Sequence, residues 1–151
     1  MKVRLLCLGN ICRSPSAHGV MRGRAAEAGL VLEIDSAGTG DWHAGNPPDR
    51  RSLSAARKRG YDFGDLRARQ LTQADFTRFD LILTMDAQNL RDARALAPPG
   101  ATARLARFLD YAGIGGDVPD PYFTGSFDAV LDLIEDASTL ALARLSRGEL
   151  P

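Results

Sequence analysis

The chain opens on an apolar run, Val3-Arg4-Leu5-Leu6-Cys7-Leu8, broken only by Arg4. A run without alternation is what a strand covered on both faces requires. The period then changes. Pro15 suits the first turn of a helix, and Ala17, Val20, Met21, Ala25 and Ala28 form an apolar stripe that Gly29 ends. Residues 31–37 read as a second strand, and glycine and proline make 38–48 a loop. A short helix over 49–59 should stop at Gly60.

Thr72 and Asp75 have the spacing of a capping box, which predicts a short helix over 72–78. Residues 81–84 form a third, wholly apolar strand, and Asp86 can cap the helix that Pro98-Pro99 terminates. Residues 103–108 are a weaker fourth strand. Segment 110–124, rich in glycine and proline before Asp120, reads as a mobile loop. Phe127, Val130, Leu131, Ile134, Ala137, Ala141 and Leu145 give the last helix a core-facing side. Alternating strands and helices predict a single three-layer α/β domain over 1–151, with a parallel sheet and helices on both faces.

Composition narrows the setting. With 151 residues and 44% hydrophobic content, one full core is expected. Nineteen basic and nineteen acidic residues cancel, so no global field points to nucleic acid or an anionic membrane. The opening apolar stretch is too short for a signal-peptide core or a membrane span. Two cysteines five residues apart suit a reducing compartment, and a cytoplasmic protein is expected. There is no internal repeat.

The chemistry concentrates in Cys7-Leu8-Gly9-Asn10-Ile11-Cys12-Arg13-Ser14, between the first strand and first helix. Gly9 and Asn10 tolerate positive φ, so successive amides can turn inward on one anion while the helix N-terminus faces the same point. A thiol beside such a cradle reads as phosphoryl transfer through cysteine. Cys7 and Cys12 could instead begin a zinc site, but only His18 and His43 could complete it, at unusual spacing. A structural cysteine pair leaves Arg13-Ser14-Pro15 unexplained, and the Lys-Ser/Thr of a nucleotide-binding phosphate loop is missing.

The octapeptide resembles the Cys-x5-Arg-Ser signature of the low-molecular-weight protein tyrosine phosphatases. The resemblance continues through Asp35-Ser36-Ala37-Gly38-Thr39-Gly40, Trp42, Gly45-Asn46-Pro47-Pro48-Asp49, Ala68-Arg69-Gln70, Met85-Asp86, Asn89-Leu90-Arg91-Asp92 and Asp120-Pro121-Tyr122. It implies strand order 2-1-3-4, with the loop after strand one at the reversal of winding where ligands bind. It also implies hydrolysis of phosphotyrosine on proteins, with neither metal nor cofactor, by a monomer. Cys7 is then the nucleophile, Arg13 the bidentate grip on the phosphoryl oxygens and Asp120 the general acid. On its own, Asp120 reads only as a turn residue.

Leu8, Gly9, Asn10, Ile11 and Cys12 would shape the phosphate loop. Ser14 would bond the Cys7 sulfur, cap the helix, or do both. Ile11, Trp42, His43, Tyr122 and Phe123 would wall an aryl group, although Trp42 alone could equally be a core residue. Ser36 and Asp86 would brace the loop through hydrogen bonds. Leu66 departs from the family, which often has His there, and Phe123 stands where a second tyrosine is frequent. A disulfide between Cys7 and Cys12 is expected under oxidation, because a loop curled around one phosphate brings its ends together. Three rivals remain. Arsenate reduction lacks a resolving cysteine outside the loop; a binding module needs neither nucleophile nor acid; and phosphoarginine hydrolysis fits the apolar Ile11 less well than an aromatic leaving group does.

Overall fold

A computed structural model describes all 151 residues. Strands β1 (Lys2–Cys7), β2 (Glu33–Gly38), β3 (Leu81–Thr84) and β4 (Arg104–Arg107) form one parallel sheet in the order β2-β1-β3-β4, as expected. Alternation along β1 sends Val3, Leu5 and Cys7 to one face and Arg4 and Leu6 to the other. The first face carries the larger core, under α1 (Arg13–Glu27), α2 (Arg50–Arg57) and two helices from the C-terminal third. On the second face Leu6 and Ile82 meet Phe76, Phe79 and Ala93, beneath α3 (Asp75–Arg78) and α4 (Ala87–Leu96).

Arg4 is the exception in β1 and is fully buried. Its guanidinium donates to Asp75 Oδ2 at 3.0 Å and Asp35 Oδ2 at 3.1 Å, and lies 4.1 Å from the Phe79 ring centroid. A buried charge needs partners of this kind to be tolerated at all.

Several boundaries differ from expectation. β2 begins at Glu33, because Val31 is 95% exposed and has no core to face. The helix expected from Thr72 begins at Asp75, whose carboxylate accepts from the Thr72 N–H at 2.8 Å. The reciprocal side-chain cap is absent, because the Asp75 amide donates to the Thr72 carbonyl at 3.1 Å and not to its hydroxyl. Segment 110–124 is not loop throughout. It is flanked by two helical turns, α5 (Phe108–Tyr111) and α6 (Pro121–Thr124), the second starting on proline, before α7 (Phe127–Ser146) closes the larger core.

Candidate active site

Residues 8–12 join the buried end of β1 to α1, at the carboxyl edge of the sheet where the windings toward β2 and β4 diverge. The turn hinges on Asn10, which alone among non-glycine residues has positive φ, at 57°. That conformation costs roughly 1–2 kcal/mol, and three hydrogen bonds hold it. The Asn10 amide donates to Cys7 Sγ at 3.2 Å, Nδ2 donates to Ser14 Oγ at 2.8 Å, and Oδ1 accepts from the Arg69 amide at 3.0 Å. Ser14 Oγ lies 3.0 Å from Cys7 Sγ. Because Asn10 already donates to that oxygen, the hydroxyl proton is left for the sulfur, or for the Ala37 carbonyl at 3.4 Å.

The N–H groups of Gly9, Ile11, Cys12 and Arg13 find no acceptor within the protein. They gather at the N-terminus of a 15-residue helix, the arrangement that favours an anion. Arg13 is 96% buried by its 4% exposure; one terminal nitrogen donates to Asp86 Oδ2 at 2.7 Å and the Val118 carbonyl at 2.9 Å, and the other lies 3.6 Å from Asp120 Oδ2. Burial disfavours its charge, but Cys7, Asp86 and Asp120 more than offset this and raise its pKa. Asp120 also caps α6, accepting from the Tyr122 amide at 3.1 Å.

These groups meet in a cleft of about 220 Å³. Cys7, Cys12 and Arg13 form its buried part, and Leu8, Gly9 and Ile11 its sides. Trp42, His43, Asp120, Tyr122 and Phe123 complete the lining. Trp42 is 69% exposed and so is no core residue. Its indole rests on Gly40, where a Cβ would come within 1.8 Å of the ring. Tyr122 stands 6.4 Å from His43 and 5.0 Å, edge-on, from Phe123, between centroids.

Of the two expected braces, Asp86 serves the loop through Arg13 and Ser36 acts elsewhere. The Ser36 hydroxyl meets His18 Nδ1 on α1 at 3.0 Å instead of the loop. Asp86 holds Arg13 with one oxygen and caps α4 with the other, through the Asn89 amide at 2.7 Å. Leu66 packs against the larger core, while the Arg69 amide supports Asn10. Burial pushes the Cys12 thiol up to about 12 and holds His18 down at about 4. Sequence reasoning missed the Val118 carbonyl and Arg69 amide, which are backbone groups with no side-chain signature. It also passed over Arg51, beside the Asp49 cap. No three His, Cys, Asp or Glu side chains converge to hold a metal ion, and no helix is long and apolar enough to cross a membrane.

Fold and cleft together define an enzyme of the protein-tyrosine-phosphatase class. The chain belongs to the low molecular weight phosphotyrosine protein phosphatase family, whose model matches residues 2–149. It is 41% identical to the low molecular weight protein-tyrosine-phosphatase YfkJ of Bacillus subtilis, over 97% of both chains. It is 46% identical to a low molecular weight protein-tyrosine-phosphatase of Streptomyces coelicolor, over 94% of this chain and 92% of that one. The crystal structure of YfkJ superposes with a TM-score of 0.93 at 40% identity, covering 99% of this chain and 97% of the other. A Drosophila arginine phosphatase superposes at 0.90 with 28% identity, covering 96% and 98%.

Proposed function

We propose that this single domain hydrolyses phosphotyrosine monoesters on proteins through a cysteinyl-phosphate intermediate. The observation that carries the reading is the Cys7 sulfur, which receives the Asn10 amide and faces the Ser14 hydroxyl in one cleft with Arg13 and Asp120. Cys7 attacks phosphorus as thiolate. Arg13 turns its planar fork to two phosphoryl oxygens, and the loop amides take the remaining charge without reorganising. Asp120 protonates the departing phenolate. Ionised, it then draws a proton from the water that cleaves the S–P bond, and Ser14 steadies the sulfur as it leaves. The guanidinium and amides supply the positive field, so the reading includes no metal.

Substrate class follows from the walls. Ile11, Trp42, Tyr122 and Phe123 present apolar surface that an aryl ring fills and a phosphoserine methylene leaves empty. Phosphoarginine would place a cationic leaving group against Ile11. A monomer in a reducing compartment such as cytoplasm fits the two free cysteines and the cleft, to which one chain contributes every residue.

The test is steady-state kinetics on matched phosphotyrosine, phosphoserine and phosphoarginine peptides under reducing conditions. We expect phosphotyrosine to be preferred, and Cys7→Ser to lose turnover while still binding oxyanions. Preferred hydrolysis of phosphoarginine would overturn the substrate assignment, and aryl phosphatase activity persisting in Cys7→Ser would overturn the nucleophile.

A further inference from the structure

The segment carrying Asp120 buries Pro121 and sets its carboxylate 3.6 Å from Arg13, but it has few hydrogen bonds to the rest of the chain. Around residues 119–124, the hydrogen bonds are the Tyr122 amide to Asp120 Oδ1, the Thr124 hydroxyl to the Asp120 carbonyl, the Gly125 amide to the Pro121 carbonyl and the Ser126 amide to the Thr124 hydroxyl. All are local. One hydrogen bond reaches this segment from outside: Arg51 on α2 donates to the Tyr122 carbonyl at 3.3 Å. The guanidinium also lies over the Tyr122 ring at 5.4 Å and the Phe127 ring at 4.6 Å.

The other side of Arg51 reaches the phosphate loop. Its Nε and one terminal nitrogen each donate at 3.1 Å to separate oxygens of Asp49, a two-point grip that fixes the guanidinium plane. The Asp49 amide donates to the Ile11 carbonyl at 2.7 Å. A continuous chain therefore runs from Ile11 through Asp49 and Arg51 to Tyr122, whose own amide bonds the Asp120 carboxylate. It crosses from nucleophile loop to acid turn outside the cleft, and Arg51 does not line the cleft.

We propose that Arg51 is a positioning residue for catalysis, a strap that sets the height of the Asp120 carboxylate over the phosphate loop. The inference rests on the reading of Asp120 as general acid. Arg51 touches neither phosphate nor leaving group; it acts by holding the turn whose N-terminus orients that acid. One terminal nitrogen serves both Asp49 and the Tyr122 carbonyl while Nε takes the second Asp49 oxygen. A lysine lacks the planar fork that makes this two-point grip. The Arg51 side chain is half exposed, at 51%, so its loss should leave folding nearly intact.

The experiment compares Arg51→Met, which keeps an apolar stem beneath the rings, with Arg51→Lys and the parent. Each is assayed on aryl phosphates whose phenols range from weakly to strongly acidic. Losing one hydrogen bond that places the acid should lower kcat about fivefold for the least acidic phenol. The loss should fade as the phenol becomes acidic enough to leave unprotonated, with KM little changed and Lys falling between Met and Arg. In the background of Asp120→Asn, Arg51→Met should cost nothing further, because the group it positions is gone.

A defect of Arg51→Met equal across all leaving groups, or one that adds fully to Asp120→Asn, would overturn the strap. So would an unchanged rate. If Asp120→Asn itself shows no dependence on leaving group, the assignment of the acid fails instead, and the two failures are told apart by that single variant.

Discussion

Cys12 shares the cleft with Cys7, yet burial pushes its thiol up to about 12, so it stays protonated at neutral pH. A neutral thiol neither competes for phosphorus nor oxidises first. Peroxide should convert the Cys7 thiolate to sulfenic acid; Cys12 then attacks that sulfur and expels water, leaving a disulfide. Because only the thiolate attacks, closure should accelerate about tenfold per pH unit below 12. Activity recovered with dithiothreitol after a peroxide pulse should be high in the parent and low in Cys12→Ser. Equal recovery would make Cys12 a buried filler. At this scale Cys7 and Arg13 were legible because residue type and spacing set a thiol and a guanidinium at the two ends of one loop. Asp120, on its own only a turn residue, stood out through the family resemblance. The Ser36–His18 contact was not legible, since it depends on how α1 sits over β2, which the stripe of Ala17, Val20, Met21, Ala25 and Ala28 does not by itself fix. Arg51 was hidden for a related reason: Asp49 is a near neighbour, but the Tyr122 carbonyl it also reaches lies 71 residues away.

Helix α1 does two tasks along one face. Its first turn carries Arg13 and Ser14, and one turn later His18 is buried against Ser36 of β2. Burial is the main reason its imidazole titrates at about 4, below the usual 6.5; Arg22 lowers it further, while Asp35 and Asp65 oppose the shift. In the unfolded chain His18 takes a proton near 6.5, whereas folded it resists down to 4. The unfolded state therefore binds more protons between those values, and stability is lost as pH falls through that window. The full effect is on the order of 3 kcal/mol. Denaturant titrations at pH 7, 5.5 and 4 should show a flatter decline for His18→Gln than for the parent. Parallel declines would mean that His18 is not the group responsible. Elements themselves were largely readable: β3 came out at 81–84 because Leu81, Ile82, Leu83 and β-branched Thr84, following Asp80, favour a buried strand. The short α5 and α6 were not, because four-residue helices depend on the contacts beneath them and not on period.

Across the whole molecule the sheet separates two unequal cores, 25 buried residues on the face of α1 and α7 against seven on the face of α3 and α4. The smaller side compensates for limited apolar area with a charge network. Arg4, fully buried, is held by Asp75 at the start of α3 and by Asp35 on β2, and Arg69 pairs with Asp35 in turn. Because the Arg69 amide braces Asn10, this network also underlies the phosphate loop. Parallel layers were legible from strand–helix alternation, and strand order from the family resemblance. Arg4 stood out in the sequence only as a break in an apolar run, since nothing in the pattern names partners 31 and 71 residues away. Breaking such a pair from one side leaves an uncompensated buried charge. Asp75→Ala should therefore cost about 3 kcal/mol, lowering Tm by on the order of 10 °C for a chain of this length. The exposed Arg22–Asp65 pair, with side chains 40% and 63% accessible, is the internal control. Asp65→Ala should cost less than about 1 kcal/mol, because solvent screens both charges before and after. Thermal unfolding of the two variants side by side is the measurement, and comparable losses would show that the Arg4 network contributes no more than a surface ion pair.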